Sequence, residues 1–371
     1  MTERSSPQRP PLAGVQVLEI GSGLSIATAG MVLSDFGAQV VKVEPPGGDP
    51  ARSSRGFAMI SRGKSSVVAD PEAEADRARV RALWMGADVV MVSLPKDGAR
   101  RLGVDYATVS AARPDVIYCS ISGFGPLGPY ADYGDYEQIV TMKSGRGSFY
   151  MGQAERSGPV FPALPVAGYA AGQGSLQGIF AALHEREQSG RGHHVEASLV
   201  QGLAAYDLFG WKDSQKRGDQ FFQTSTADGR RKQRGGALSY PVGATSDGHW
   251  LQFTQMGAHL FYRFMEAIGL ESLFLEERFM SLPHVPPEVH MEAWRIIMER
   301  LREKTLAEWM EILVPNDDVT AEQFRSPAWA AEHPQVEHNG DFIEVTDSLY
   351  GKVQQLAPLF KAHDTPAAPR F

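Results

Sequence analysis

Cys119, His193 and His194 are the side chains that first suggest nucleophilic or metal chemistry, and the sequence argues against both uses. Cys119 is the one cysteine in 371 residues, so no internal disulfide can form, and zinc sites normally need several Cys or His ligands. It follows the apolar run Val116-Ile117-Tyr118, which makes it a core thiol. His193 and His194 are neighbours in the strand-like HHVEASL. Adjacent strand residues point to opposite faces, and no matching ligand cluster lies nearby, so no metal is expected. A further candidate is backbone rather than side chain. Gly21-Ser22-Gly23 follows VQVLEI and opens a helix, a geometry that can cradle phosphate at the helix N-terminus. Its spacing falls short of G-x-G-x-x-G, which leaves a dinucleotide site weakly supported.

The elements that must position these groups read as an α/β chain. Val15–Ile20 is a buried-strand run, a helix follows from about Ser25 to Phe36, and Gln39–Val43 is a second strand, the βαβ unit of a parallel sheet. Gly56–Ser66 reads as a polar loop before a strand at Val67–Asp70. An amphipathic charged helix spans Glu72–Met85, strands fall at Ala87–Ser93 and Val116–Ser122, and a helix carrying Arg100-Arg101 ends at Leu102-Gly103. Ligands of open α/β sheets bind outside strand C-terminal ends, so the loops there are expected to converge on one crevice. From Pro165 to Leu199 a helix of small residues stops at Ser189-Gly190-Arg191-Gly192 and returns as a strand. Glycine inside an exposed helix costs about 1 kcal/mol against Ala, so Gly172, Gly174 and Gly178 predict close approach of another backbone.

Beyond Leu203 the composition changes, with residues 206–236 reading as a polar linker that ends in RRKQRGG. Leu238–Phe253 is a hairpin pattern around Asp247-Gly248. Helices are expected at about His259–Ile268, Pro287–Lys304 and, capped by Thr305, Leu306–Leu313. Residues 237–330 thus form a small α+β unit. The net charge of -8 argues against a broad nucleic-acid surface while leaving room for a small anionic ligand. MTERSSPQRPPLAG has no apolar signal core, and no apolar run reaches membrane-spanning length, so a cytoplasmic protein with no membrane partner is expected.

Several segments carry a stronger signal: PLAGVQVLEI, LSDFGAQVVKVEPPGGDPAR, ISGFGPLGPY, and the small-residue helix with its Ser-Gly-Arg-Gly turn. Together they resemble the class III CoA-transferase (CaiB/BaiF) family over most of the chain. The resemblance implies a Rossmann-like large domain built first from residues 1–205, the smaller α+β domain, and a C-terminal segment, 331–371, that returns to the large domain. It implies an interlocked dimer, homomeric or heteromeric. Coenzyme A or acyl-CoA is then substrate or ligand, with no permanently bound cofactor.

In that family an Asp carboxylate attacks the acyl-CoA thioester, giving a mixed anhydride and then an aspartyl-CoA thioester, so that CoA passes to a second acid. The matching position here is Gly168. Tyr169, a phenol poorly ionised at neutral pH, and Ser175, without a local general base, are no replacements. Tyr136-Glu137 matches a Tyr-Glu pair of formyl-CoA transferase-like members, which makes Glu137 the carboxylate to weigh as a stand-in, against a structural role on backbone donors. Racemases of the family carry a His-Asp dyad there and a further Asp at the position of Gly168, so racemase chemistry would lack its bases. Lys64 and Arg101 match basic positions that contact the nucleotide phosphates. Leu24 and Ser25 fall where backbone lies against the ligand, and Ser93 and Leu94 replace an Asn-Phe pair. Pro45 stands where many members carry an arginine. The resemblance thus implies a non-nucleophilic subunit paired with an Asp-bearing homologue. The alternatives are an acyl-CoA enzyme using Glu137 or water, and a non-catalytic acyl-CoA-binding scaffold.

Overall fold

A computed structural model describes residues 9–146, 161, 163–206, 215, 238, 240–255, 257–347, 350–367 and 369–370. Two compact units divide the chain: residues 1–221 with 337–371, and residues 222–336. Apart from Tyr206 and Gln215, the expected linker 206–236 lies outside the described residues.

The first unit is organised by six parallel strands: β1 (Gln16–Gly21), β2 (Gln39–Glu44), β3 (Lys64–Val68), β4 (Val89–Ser93), β5 (Ile117–Ser122) and β6 (His193–Ser198), in the order β3-β2-β1-β4-β5-β6. Its helices are α1 (Leu24–Asp35), α2 (Phe57–Ile60), α3 (Glu74–Met85), α4 (Lys96–Leu102), α5 (Tyr106–Ala112), α6 (Glu137–Lys143), α7 (Val166–Ser189) and α8 (Leu199–Tyr206). Helices on both faces explain why the central strands read as continuous apolar runs. Val17, Val89, Met91, Ile117 and Cys119 share a core with Ile26, Ala29 and Leu33 of α1 and Ala171 and Ile179 of α7. The alternate residues Leu18, Ile20, Val90, Val92 and Tyr118 share the opposite core with Val80 and Trp84 of α3 and Leu102 of α4.

The strand order reverses between β1 and β4, where Gly21 pairs with Ser93 at the C-terminal ends of both strands. Such a reversal opens the crevice in which doubly wound sheets bind ligands. Only glycine fits at Gly21: its φ is +121°, and a Cβ there would lie 2.3 Å from the Ser93 carbonyl oxygen.

Helix α7 packs against α1 as its small residues predict, but through fewer glycines than expected. A Cβ on Gly172 would lie 2.8 Å from the Ser25 carbonyl oxygen, and one on Gly178 would lie 2.4 Å from Val195 Cγ1. Gly174 is exposed, with nothing within 4 Å of a Cβ. At 3.6 residues per turn it faces away from Gly172, which removes it from the contact. The loop reading of Gly56–Ser66 is also corrected. Phe57–Ile60 makes the single turn α2, and Lys64 already belongs to β3, paired with Val40. The apolar signal is weak there because β3 is an edge strand.

In the second unit β7 (Val242–Ala244), β8 (Trp250–Phe253) and β9 (Ala321–Gln323) form an antiparallel sheet. Gly248 adopts positive φ in the expected turn, and β9 adds a third strand to the expected hairpin by pairing with β8. Helices α9 (Ala258–Ala267), α10 (Pro287–Leu301) and α11 (Leu306–Leu313) enclose Phe253, Phe261, Phe264 and Trp309. Thr305 and Glu308 form a reciprocal capping box at the start of α11. After α12 (Pro327–Ala331) and α13 (Pro334–Asn339), the hairpin of β10 (Phe342–Asp347) and β11 (Gly351–Leu356) belongs to the first unit. There Phe360 stacks on Phe36 at 3.9 Å, and Arg370 donates to the Ala38 carbonyl at 2.5 Å.

Candidate functional site

Four pieces of chain meet at the strand reversal: the Gly21-Ser22-Gly23 turn into α1, Ser93 at the end of β4, the loop 134–137, and the first turn of α7. Close approaches between glycines and their neighbours hold them together. A Cβ on Gly123, just after β5, would lie 2.7 Å from the Gly134 carbonyl oxygen, and one on Gly134 would lie 2.5 Å from the Tyr136 ring. Gly23 has φ +114°, and a Cβ there would lie 3.2 Å from Asp135 Oδ2. The loop therefore crosses the sheet's C-terminal edge and brings two carboxylates, Asp135 and Glu137, to the start of α1.

Glu137 lies half-buried at the first position of α6, and Val166 begins α7 without a side-chain cap of its own. The Ala167 amide donates to Glu137 Oε1 at 2.8 Å and the Gly168 amide to Oε2 at 2.7 Å. Both oxygens thus satisfy amides that the helix itself leaves unpaired, at its positive end. This is the arrangement of backbone donors weighed above as the structural reading of Glu137. Tyr136 next to it is 67% exposed, and no acid-base partner for its phenol is present among the described residues.

Gly168 is buried one turn into this junction. A Cβ there would lie 3.4 Å from both Glu137 Oε2 and Leu24 Cβ, an ordinary contact distance. The position therefore has room for a Cβ and supplies only an amide. Tyr169 is 43% exposed, and Ser175, fully buried, donates to the Ala171 carbonyl at 2.8 Å, a bond internal to α7. Cys119 is buried in the sheet core, where burial pushes its thiol up to about 12.

Asp135 is the site residue that the sequence reading missed. Ser93 Oγ donates to its Oδ2 at 2.7 Å, and burial raises its carboxyl above the usual value, opposed by that hydrogen bond. Among the described residues neither Asp135 nor Glu137 is held in an ion pair. The spacing D-Y-E shortly after ISGFGPLGPY was available as a signal. What made it significant is the packing of the loop on Gly23 and Ser93.

The remaining positions drawn from the resemblance are scattered in character. Leu24 is half-buried at the α1 start, Ser25 is buried with its carbonyl against Gly172, and Leu94 is half-buried after Ser93. Arg101 is exposed in the last turn of α4 and pairs with Glu72 at 3.1 Å, an exposed pair that can open readily. Pro45 lies exposed just after β2.

Lys64 departs from the expectation of a phosphate-contacting lysine. Its ammonium donates to Glu19 Oε2 at 2.7 Å and to the Ala27 carbonyl at 2.8 Å, inside the sheet layer. Lys42 holds the other Glu19 oxygen at 2.9 Å and Asp49 at 2.8 Å, so two lysines and two carboxylates balance one another. Burial pushes the Lys64 ammonium below its usual range, with Glu19 opposing. The space lined by Glu19, Lys42, Asp49 and Lys64 is about 10 Å³, which admits a water at most. The match of Lys64 to a basic family position thus corresponds here to a buried structural ion pair.

Among the described residues no group of three or more His, Cys, Asp and Glu side chains is arranged to hold a metal. His193 pairs with Glu185, whereas His194 bonds Ser120 Oγ at 3.0 Å and stacks on Tyr106. No helix among the described residues is long and apolar enough to cross a membrane.

A parallel sheet with one strand-order reversal, and a glycine-lined crevice at that reversal, define a doubly wound α/β protein. The model of CoA-transferase family III matches residues 12–371, and the chain belongs to that family. It is 38% identical over 215 residues, 53% of each chain, to a succinate–glutarate CoA-transferase of Agrobacterium fabrum. Against an acetyl-CoA:oxalate CoA-transferase of Acetobacter aceti it is 27% identical, covering 100% of this chain and 96% of that one. A solved CAIB/BAIF family protein from Brucella suis superposes with a TM-score of 0.77 at 25% identity, covering 97% of this chain and 95% of that one.

Proposed function

We propose that the chain is a CoA-handling member of the family that acts as the non-nucleophilic subunit of a heteromeric transferase, with an Asp-bearing homologue as its partner. The observation that carries this reading is Gly168. At the start of α7, where the resemblance implies the attacking aspartate, the chain offers an amide but no carboxylate. Covalent transfer needs a nucleophile within reach of the thioester carbon, and positioning without one does not replace it. Glu137 is a poor substitute because each of its oxygens already accepts an amide hydrogen bond, which fixes the carboxylate on the helix end. The α-proton exchange of a racemase is disfavoured on the same ground, since Tyr136, Glu137 and Gly168 supply no free pair of bases.

The acyl-CoA would lie across the strand reversal, against Leu24, Ser25, Ser93 and Leu94, with Arg101 opening from Glu72 toward a phosphate. Lys64 supports the scaffold of this site instead, by holding Glu19 beneath α1 at Gly30. An interlocked dimer would complete the assembly.

The full chain incubated with a panel of acyl-CoAs, then treated with hydroxylamine and weighed, is expected to carry no covalent adduct. Gly168→Asp is expected to gain one, because it returns a carboxylate to the position where the resemblance implies the nucleophile and a Cβ there meets only ordinary contacts. Native mass spectrometry of protein from its own cells is expected to show a heteromer. An adduct on Glu137 of the parent chain would instead establish the altered-enzyme reading, and a homomer without adduct would favour an acyl-CoA-binding scaffold.

A further inference from the structure

Asp135 and Glu137 approach the α1 start from one loop, and only Glu137 is bonded to the end of α7. Asp135 Oδ2 is 2.7 Å from Ser93 Oγ and 3.2 Å from where a Gly23 Cβ would lie, while Glu137 Oε2 is 3.4 Å from the corresponding point on Gly168. Gly168 in turn faces Leu24. The two carboxylates thus bracket the Gly23-Leu24 step. Their satisfied donors are neutral: a serine hydroxyl for Asp135 and two backbone amides for Glu137. Among the described residues no Lys or Arg is paired with either. Two lysines of the neighbouring segments are engaged elsewhere, Lys96 with Asp132 at 3.6 Å and Lys143 over the rings of Tyr130 and Tyr133.

We infer that Asp135 is a specificity-determining residue that makes the acyl end of the crevice select uncharged acyl groups and reject those ending in a carboxylate. The inference rests on the CoA-binding reading of this crevice. Its physical basis is elementary: an acyl carboxylate entering beside two fixed carboxylates meets like charge in a partly desolvated place, and among the described residues no cation is paired with either carboxylate to offset it. An uncharged acyl chain meets neither penalty and gains contact with Leu24. Asp135 is the adjustable member of the pair, because Glu137 is locked to the end of α7. Its own burial raises its carboxyl and shows that its surroundings already disfavour negative charge.

The test compares butyryl-CoA with succinyl-CoA, whose acyl groups have the same number of carbons and differ by the terminal carboxylate. Calorimetry on the full chain is expected to give butyryl-CoA the lower Kd by about tenfold or more, a ratio set by like-charge repulsion. Asp135→Asn keeps an acceptor for Ser93 Oγ and is expected to narrow that ratio several-fold. Glu187→Gln, which removes one charge at the exposed far end of α7, should leave it unmoved. Equal affinities in the parent chain, or a ratio unchanged by Asp135→Asn, would overturn the assignment while leaving the crevice a CoA site. Failure of both thioesters and of free CoA to bind would overturn the CoA-site reading and this inference with it.

Discussion

Asp135 illustrates how a single residue can carry a cost for the fold and a use for the site. Its carboxyl is raised above the usual 3.8 by burial. Between those two values the folded chain therefore binds more protons than the unfolded one, and stability falls as the pH rises through that window. Above the folded value the deficit persists in full. Asp135→Asn removes the charge yet retains an acceptor for Ser93, so its melting temperature at neutral pH should exceed that of the parent. The difference should close as the pH is lowered toward 3.8, where the parent carboxyl is protonated in the fold. Thermal scans over that range decide the matter; a variant no more stable than the parent at neutral pH would show that Asp135 bears no buried-charge penalty. A residue that destabilises the fold and yet faces the crevice fits a functional trade-off.

At the scale of elements, the contact between α1 and α7 sets the distance across which the site is built. The Gly172 backbone lies against the Ser25 carbonyl, with 2.8 Å available where a Cβ would stand. A methyl group there must push two helix backbones apart, so Gly172→Ala is expected to cost about 1–3 kcal/mol, the usual range for overpacking. Gly174→Ala, two residues along and open to solvent, should instead stabilise by about 0.5–1 kcal/mol through helix propensity. Urea denaturation of both variants tests the pair, and equal effects would refute the packing account. The same displacement at Gly172 would shift Leu24 relative to Gly168, so acyl-CoA affinity should fall in Gly172→Ala and hold in Gly174→Ala.

Across the whole molecule, the first unit is closed by chain from both ends of the sequence. Arg62 pairs with Asp35 and also donates to the Leu356 carbonyl at 2.5 Å, and Phe360 lies on the buried ring of Phe36. Phe360 is half-exposed, so Phe360→Ala should cost about 1–2 kcal/mol, below the range for a fully buried Phe. A melting temperature indistinguishable from the parent's would mean that this segment adds nothing to the unit's stability.

Periodicity and turn chemistry in the sequence determined the βαβ order, the continuous apolar strands of a sheet covered on both faces, the Asp247-Gly248 hairpin and the Thr305 cap. Those features are local, and each depends on residues a few positions apart. The motif resemblance also pointed to Gly168 and Glu137, though it could not say what Glu137 touches. Tertiary structure alone decided that Lys64 faces Glu19 inside the sheet, because ion pairing across strands depends on register and leaves no trace in spacing. It alone separated Gly172 from Gly174, and it alone brought Asp135 to Ser93 and Gly23. A charge acquires its meaning from what is folded against it, and those neighbours lie on segments far apart in the chain.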